Sequence, residues 1–434
     1  MRTALPASAP FVVVGGGVHG LSTAYHLAEE LEARGRSGAE VVLLEKRHLG
    51  AGASGICGGI VRNYYLSPAL NEIVRQSVEI FELDPEGFGL HPVGYVAVVG
   101  EEQAGELEQI AGQQEQLGYE SLLVTGAAEC REHLRSIFPD WRAEGVTALL
   151  HERPGGWADP NVTLAKLAGM ARALGVRVVE GAEVHGFELE GGVVRGLETS
   201  LGPIACDLVV VAPGPWAREL WRLLELPAEI AVGDERQPMV SYYKVREGDY
   251  ALPGGERLPR RAPVLHLDLH EPLRSDRDGR ELHPGPWGIY FRPNGHGGVQ
   301  GGGLPERLDP ECELEPYGPS HPEHGRSGPE FDEWFTSGLA TALGRFRGRS
   351  ADWRCDSYGA QVAFTPDAYP VVDFVRPNAY AILDSNHGFK LLALGRLAAS
   401  DILGAGAPEL EPFRLGRFAA ATLHPVSASP YPWT

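Results

Sequence analysis

The stretch FVVVGGGVHGLSTAYHLAEEL (11–31) decides the fold. Phe11–Val14 is a short β-branched run, Gly15–Gly20 is a glycine turn, and apolar residues then recur at three and four: Leu21, Ala24, Leu27, Ala28 and Leu31. That order reads strand, tight turn, helix. Gly15, Gly17 and Gly20 stand in GxGxxG spacing. The first glycine permits the turn, the second lets backbone approach a diphosphate, and the third lets helix and strand pack closely. The start of the helix offers N–H groups and the positive end of its dipole to phosphates. Beyond Gly35 a polar loop leads into VVLLE (41–45), a continuous apolar run typical of a buried parallel strand, so the unit is βαβ. Glu45 closes that strand where a carboxylate can accept both ribose hydroxyls of an adenosine. A glycine-rich surface turn would match the spacing alone. The strand, helix and Glu45 around it point to dinucleotide binding instead.

Farther out, GAGASGICGGIVR (50–62) is a second run of small residues. It suits close passage beside a large planar ligand and its ribityl-diphosphate chain, which favours FAD over NAD. NVTLAKLAGMARALG (161–175) reads as a helix, RVVEG as a strand, HGFELEGGVVRGLETS (185–200) as an antiparallel meander and DLVVVAPG (207–214) as another buried strand. From about residue 236, strands alternate with Pro/Gly-rich loops, including LHLDL, GIYFRP and GGVQGGG, which predicts an antiparallel sheet. Segment 305–330 is polar and turn-rich and reads as a long surface loop or an interaction insert. FDEWFTSGLATALGRF (331–346) predicts a helix, and AYAILD (379–384), a glycine turn and LLALGRLAASDILG (391–404) repeat the order strand, turn, helix.

Composition narrows the function. The 434 residues allow two or three domains or one interleaved unit with a sizeable core. A formal net charge of −20 repels nucleic-acid phosphates and anionic lipid, so no nucleic-acid partner is expected. The hydrophobic fraction of 43% comes with no run of some 18 apolar residues, so no membrane span is expected either. The first residues lack the apolar core of a secretory signal, which places the chain in the cytoplasm as an expectation. Five cysteines (Cys57, Cys130, Cys206, Cys312, Cys355), odd in number and without CxxC, fit reduced thiols better than disulfides or zinc. Only four residues are lysines, which makes the position of each informative.

Several pieces together resemble a known family: VVVGGGVHGLSTAYHLA, LLEKRHLGAGASG, GGIVRNYY, HPVGYVAVV, VVVAPGPWA, GIYFRPNG, and TPDAYPVVD followed by NHGFKLLALGRLAASDIL. The chain resembles the FAD-dependent amine and amino-acid oxidoreductases of the D-amino-acid oxidase type, nearest to sarcosine oxidase and glycine oxidase-like members. The resemblance implies an α/β FAD-binding domain, Rossmann-like and of the glutathione-reductase type, assembled from residues 1–85, 151–230 and 355–434. It would interleave with an α+β substrate domain, 86–150 and 231–354, whose antiparallel sheet covers the flavin. It also implies cofactor roles for Gly15, Gly17, Gly20, Glu45, Lys46, Ala53, Ser54, the backbone of Val184, Pro213, Gly214, Trp216, Gly388, Phe389 and Lys390.

By the same resemblance Arg62 and Lys390 match the pair that binds a substrate carboxylate, and His387 joins them in the catalytic set. An Arg fork and a Lys point charge can fix a carboxylate so that a C–H bond faces flavin N5 for hydride transfer. The implied activity is oxidation of the C–N bond of a small or medium amino acid, with hydrolysis of the resulting imine and oxygen or another carrier as electron acceptor. The alternatives are a 2-hydroxy-acid dehydrogenase on the same fold, or a flavoprotein subunit for assembly or electron relay. Two departures stand out. Ala360 occupies the position at which sarcosine oxidase attaches its flavin through cysteine, and Cys355 lies too far upstream, so dissociable FAD is expected. Gln300 stands where the family carries a lysine that promotes reaction with oxygen.

Other candidates rest on pattern alone. LHLDLH (265–270) puts Leu265, Leu267 and Leu269 on one face of a strand and His266, Asp268 and His270 on the other. That polar face could line a cavity or hold a metal, but reads better as a hydrated face; no metal is expected. His321 and His324 read as surface residues. Tyr64, Tyr65 and Tyr290 read as pocket walls or as simple packing.

Overall fold

A computed structural model describes residues 4–255, 257–321 and 325–432. The opening strand spans Ser8–Val14 and its helix Val18–Ala33. The strand pairs in parallel with Gly202–Val211 on one side and Val41–Glu45 on the other, with Val14 opposite both Leu44 and Val211. Arg177–Glu180 continues the parallel order beyond Val41–Glu45, and Ala379–Leu383 continues it beyond Gly202–Val211. Strands Val184–Glu190, Val193–Thr199 and Val371–Arg376 complete this eight-stranded sheet in antiparallel fashion.

Both faces of the sheet are covered, which explains the unbroken apolar runs. Phe11 and Val13 pack with the helix residues Leu21, Ala24 and Leu27, while Val12 and Val14 pack on the opposite face with Val42, Leu44 and Val209. Helix Leu394–Ile402 lies against Val18–Ala33, and Ser22 Oγ donates to the Leu392 carbonyl at 2.7 Å. The two strand–turn–helix units read from opposite ends of the sequence thus adjoin, and their glycine turns converge.

The second sheet also has eight strands, in the order 354–364, 241–251, 299–307, 287–293, 264–269, 95–99, 148–152, 121–125. All neighbours are antiparallel except Tyr95–Val99 beside Val264–Leu269. One face carries Leu265, Leu267, Leu269, Ile289 and Phe291 against the helix Gly328–Ala342, through Phe331, Phe335 and Leu339. The other face turns toward the glycine turns. The chain therefore combines an α/β nucleotide-binding sheet with a largely antiparallel sheet, as the sequence implies.

Some segments differ from their sequence reading. Arg354–Phe364, which falls among the FAD-binding segments by sequence, is the edge strand of the second sheet, and Ala148–Glu152 straddles the boundary at 150. Segment 305–330 is not a free loop over its described residues. Tyr317 is buried and donates to the Gln361 carbonyl at 2.8 Å, its ring lies 4.8 Å from that of Trp216, and Glu315 pairs with Lys46 and Arg47. His321 is buried rather than on the surface, and His324 lies outside the described residues. No described helix is long and apolar enough to cross a membrane.

Candidate active site

A cavity with about 2280 Å³ of empty space, its open mouth included, runs between the two sheets. At one end the glycine turn forms its floor. A Cβ on Gly15, whose φ is +110°, would fall 2.2 Å from the Ala212 carbonyl oxygen, and one on Gly20 would fall 1.9 Å from the Gly15 carbonyl oxygen. Only glycine allows this close approach of strand, turn and helix. Glu45 Oε2 accepts from the Gly16 N–H at 2.9 Å and Oε1 from the Arg47 N–H at 2.8 Å, which fixes the carboxylate at the end of its strand. Ser54 Oγ accepts from the Val18 N–H at 3.1 Å, joining the second small-residue run to the helix start.

Gly15, Gly17, Glu45, Lys46, Ala53, Ser54, Val184, Pro213, Gly214, Trp216, Gly388, Phe389 and Lys390 all line this cavity. Gly20 stands behind it as a packing residue. Lys46 Nζ lies 3.8 Å from the Trp216 ring centroid, and burial pushes its ammonium down to about 8. The glycine cradle and the helix start suit the diphosphate of a dinucleotide such as FAD, and the Glu45 carboxylate at the strand end suits its ribose.

The other end carries the candidate substrate residues. Arg62 is 3% exposed, and its guanidinium lies 5.4, 5.2 and 5.3 Å from the rings of Tyr64, Tyr65 and Tyr95. It donates to Tyr95 Oη at 2.6 Å and lies 3.2 Å from His266 Nδ1. No carboxylate among the described residues reaches ion-pair distance of it. Tyr64 and Tyr65 therefore back Arg62 rather than wall the cavity, whereas Tyr290 lines it. Behind Arg62, Glu152 is fully buried and accepts from the Asn63 N–H and Gln114 Nε2, both at 2.8 Å; burial pushes its carboxyl up to about 7.

His387 and Lys390 come from the second turn. Asp384 ends the strand before it and accepts from the backbone N–H groups of Ser385, His387 and Gly388 at 2.7, 3.0 and 2.8 Å. His19, from the first glycine turn, lies 3.3 Å from the same carboxylate. Burial would raise Asp384, but His19 and His387 hold it well below the usual carboxylate range. Burial lowers His387, against the opposing pull of Asp384, whose Oδ1 lies 3.6 Å from its Nδ1, so the imidazole stays neutral. Burial, then the charge of Arg62, pushes the Lys390 ammonium down to about 8. Lys390 Nζ has the Asn386 carbonyl at 3.3 Å and no carboxylate partner among the described residues.

The polar face of 264–269 is not hydrated. His266 and Asp268 are buried, His266 Nε2 lies 2.7 Å from Asp268 Oδ1, and Tyr95 Oη lies 2.7 Å from His266 Nδ1. Segment 427–432 covers them: Ser429 Oγ donates to Asp268 Oδ2 at 2.8 Å, and the Tyr431 ring lies 5.0 Å from His266. His270 is half-buried beside Glu102, away from the cavity. Among the described residues no three His, Cys, Asp or Glu side chains gather as a metal site. Glu247, Tyr358, Tyr95, Asp384 and Tyr431 also line the cavity and carry no sequence motif that singles them out.

Comparison with known proteins agrees with this geometry. The chain is 28% identical over 223 residues to a 4-methylaminobutanoate oxidase (formaldehyde-forming) of Paenarthrobacter nicotinovorans, covering 50% of this chain but only 26% of that one. It is 26% identical over 418 residues to sarcosine oxidase subunit beta of Rhizobium meliloti (strain 1021), covering 94% of this chain and 88% of that one. The structure of L-proline dehydrogenase from P. horikoshii superposes with a TM-score of 0.77 at 22% identity, over 97% of this chain and all of that one, and shares the fold. The model of FAD dependent oxidoreductases matches residues 11–400, from the first glycine-turn strand into the helix that follows the second turn, and the chain belongs to that family.

Proposed function

We propose that this chain oxidises the C–N bond of a small or medium amino acid, primary or secondary, and releases an imine that hydrolyses in water. The observation that carries the reading is the pair Arg62 and Lys390: one buried and one half-buried cation, neither with a carboxylate partner among the described residues, open to one end of the cavity whose other end is the dinucleotide cradle. Buried charges are ordinarily paired, so an anionic ligand is the missing partner. The names of the relatives, which concern small methylated amino acids, support an amino-acid carboxylate in that place.

The residues around the pair set its geometry. Asp268 accepts the Nε2–H of His266, which leaves Nδ1 as acceptor for the Tyr95 hydroxyl and an Arg62 N–H. The guanidinium is thereby held in one orientation, and its fork fits a carboxylate. Lys390 adds a second charge from the opposite turn, and neutral His387 beside it adds none at neutral pH. The tyrosines exclude water from the anchor, which strengthens each contact. Bound FAD supplies the acceptor for the two electrons that leave the substrate.

Anaerobic mixing of the purified holoprotein with amino acids, N-methyl amino acids and 2-hydroxy acids tests the reading. Bleaching of the flavin by an amino acid supports it. Bleaching by 2-hydroxy acids alone would make the chain a 2-hydroxy-acid dehydrogenase of the same fold, and no bleaching by any of them would make it a flavoprotein subunit for assembly or electron relay.

A further inference from the structure

Strand Ser241–Ala251 lies between 299–307 and 354–364, and it places Glu247 opposite Gly302 on one side and Tyr358 on the other. Val245 and Glu247 both line the cavity, so this acid points inward while the acids on most of the surface face water. Gly302 makes room for it: an added Cβ there would fall 2.9 Å from Glu247 Cγ and 2.9 Å from Tyr290 Cε1. Glu247 Oε2 accepts from Tyr358 Oη at 3.3 Å and from Gln300 Nε2 at 3.5 Å, and Tyr290 hydrogen-bonds the same carboxyl. All three donors are neutral. Arg292, Lys390, Cys57 and Tyr317 are other titratable groups near it, and no Lys, Arg or His nitrogen among the described residues comes within ion-pair distance. Burial pushes the Glu247 carboxyl up, as expected for an acid removed from water without a cation.

Among the described residues lining the cavity, Arg62 and Lys390 thus lack a carboxylate partner and Glu247 lacks a cation. We infer that Glu247, flanked by Tyr290 and Tyr358, is the subsite that receives the cationic amine of the substrate, while Arg62 and Lys390 receive its carboxylate. The inference rests on the amino-acid reading above and makes it specific: the ligand is recognised as a zwitterion. A cation there would complete the carboxylate, and the two phenol rings beside it add an attraction for an ammonium group.

The test uses redox-inert ligands of matched shape on the holoprotein, read by perturbation of the flavin spectrum and by calorimetry. Trimethylglycine is compared with 3,3-dimethylbutanoate, and 4-(trimethylammonio)butanoate with 5,5-dimethylhexanoate; each pair differs only in the charge of one quaternary centre. In the length that fits, the ammonium compound binds at least about tenfold tighter than its uncharged isostere, and Glu247→Gln brings the two within about threefold of each other. The comparison within the unsubstituted protein stands even if the variant fails to fold. Equal binding of both members at both lengths, or a preference that survives Glu247→Gln, overturns the role of Glu247 and leaves the carboxylate anchor standing. Failure of all four carboxylates to bind overturns both readings.

Discussion

His266 Nε2 and Asp268 Oδ1 lie 2.7 Å apart on the same face of one strand, both buried, with Ser429 closing the second oxygen of Asp268 from below. This contact decides which nitrogen of His266 faces Arg62. Asp268→Asn places an amide donor against Nε2, which favours the tautomer with a proton on Nδ1 and turns it from acceptor to donor toward Arg62 and Tyr95. One buried donor is then left without an acceptor, at a cost of about 1–3 kcal/mol. We predict a loss of roughly that size in denaturant unfolding and a fall of about tenfold or more in kcat/KM, with FAD retained. Unchanged kinetics would show that the orientation of Arg62 does not depend on this pair.

The second prediction concerns pH. Lys390 sits at about 8 instead of the usual lysine value, so it is charged below that pH and loses its proton as pH rises through it. Capture of a carboxylate substrate, read as kcat/KM, is therefore expected to fall above pH 8. The substrate amine also titrates in this range, so the clean readout is the ratio of the native protein to Lys390→Arg, whose guanidinium stays charged. That ratio should decline between pH 7 and 9; a flat ratio would count against Lys390 as an anchor.

Acid precipitation should release FAD into the supernatant. Ala360, at the position matching the cysteine attachment point, lines the cavity without a nucleophile, and burial holds the Cys57 thiol protonated, pushed up to about 12. Yellow colour retained in the pellet would show a covalent link.

Reduced flavin should react slowly with air. Gln300 offers no positive charge, and its amide is occupied with Glu247 and Tyr358 at 3.5 and 3.4 Å. Gln300→Lys should speed reoxidation by at least about tenfold, since a fixed cation stabilises charge developing on oxygen. It should also weaken the preference for ammonium ligands, because the new lysine would pair with Glu247. Rapid reoxidation of the native protein would locate the oxygen chemistry elsewhere.

The residues that are legible from sequence are those whose chemistry depends on local backbone. Gly15, Gly17, Gly20 and Glu45 announce themselves because turn, helix start and strand end are contiguous, and the strand–turn–helix at 379–404 repeats the same signature. Arg62 and Lys390 are found through motif resemblance, and the structure places both on one cavity. Glu247 is not legible, since nothing in SYYKVREGDYA distinguishes it from Asp249 until two partner strands and Gly302 bury it. The alternation in LHLDLH is read correctly, but the cover over its polar face comes from Ser429 and Tyr431, more than 150 residues later. Glu315 escapes notice for the same reason: its partners Lys46 and Arg47 lie in a different segment, so a polar insert closes the cavity instead of facing solvent.

The most direct test of the central claim compares an amino acid that bleaches the flavin with its decarboxylated amine, in the native protein and in Arg62→Ala. A charge-assisted hydrogen bond contributes about 1.5–3 kcal/mol, so Arg62→Ala should lower the anaerobic reduction efficiency with the amino acid roughly ten- to several-hundred-fold. The amine should be a poor substrate for the native protein and nearly indifferent to the substitution, with FAD bound throughout. An amine that serves as well as the amino acid, or an amino acid unaffected by Arg62→Ala, would contradict the account.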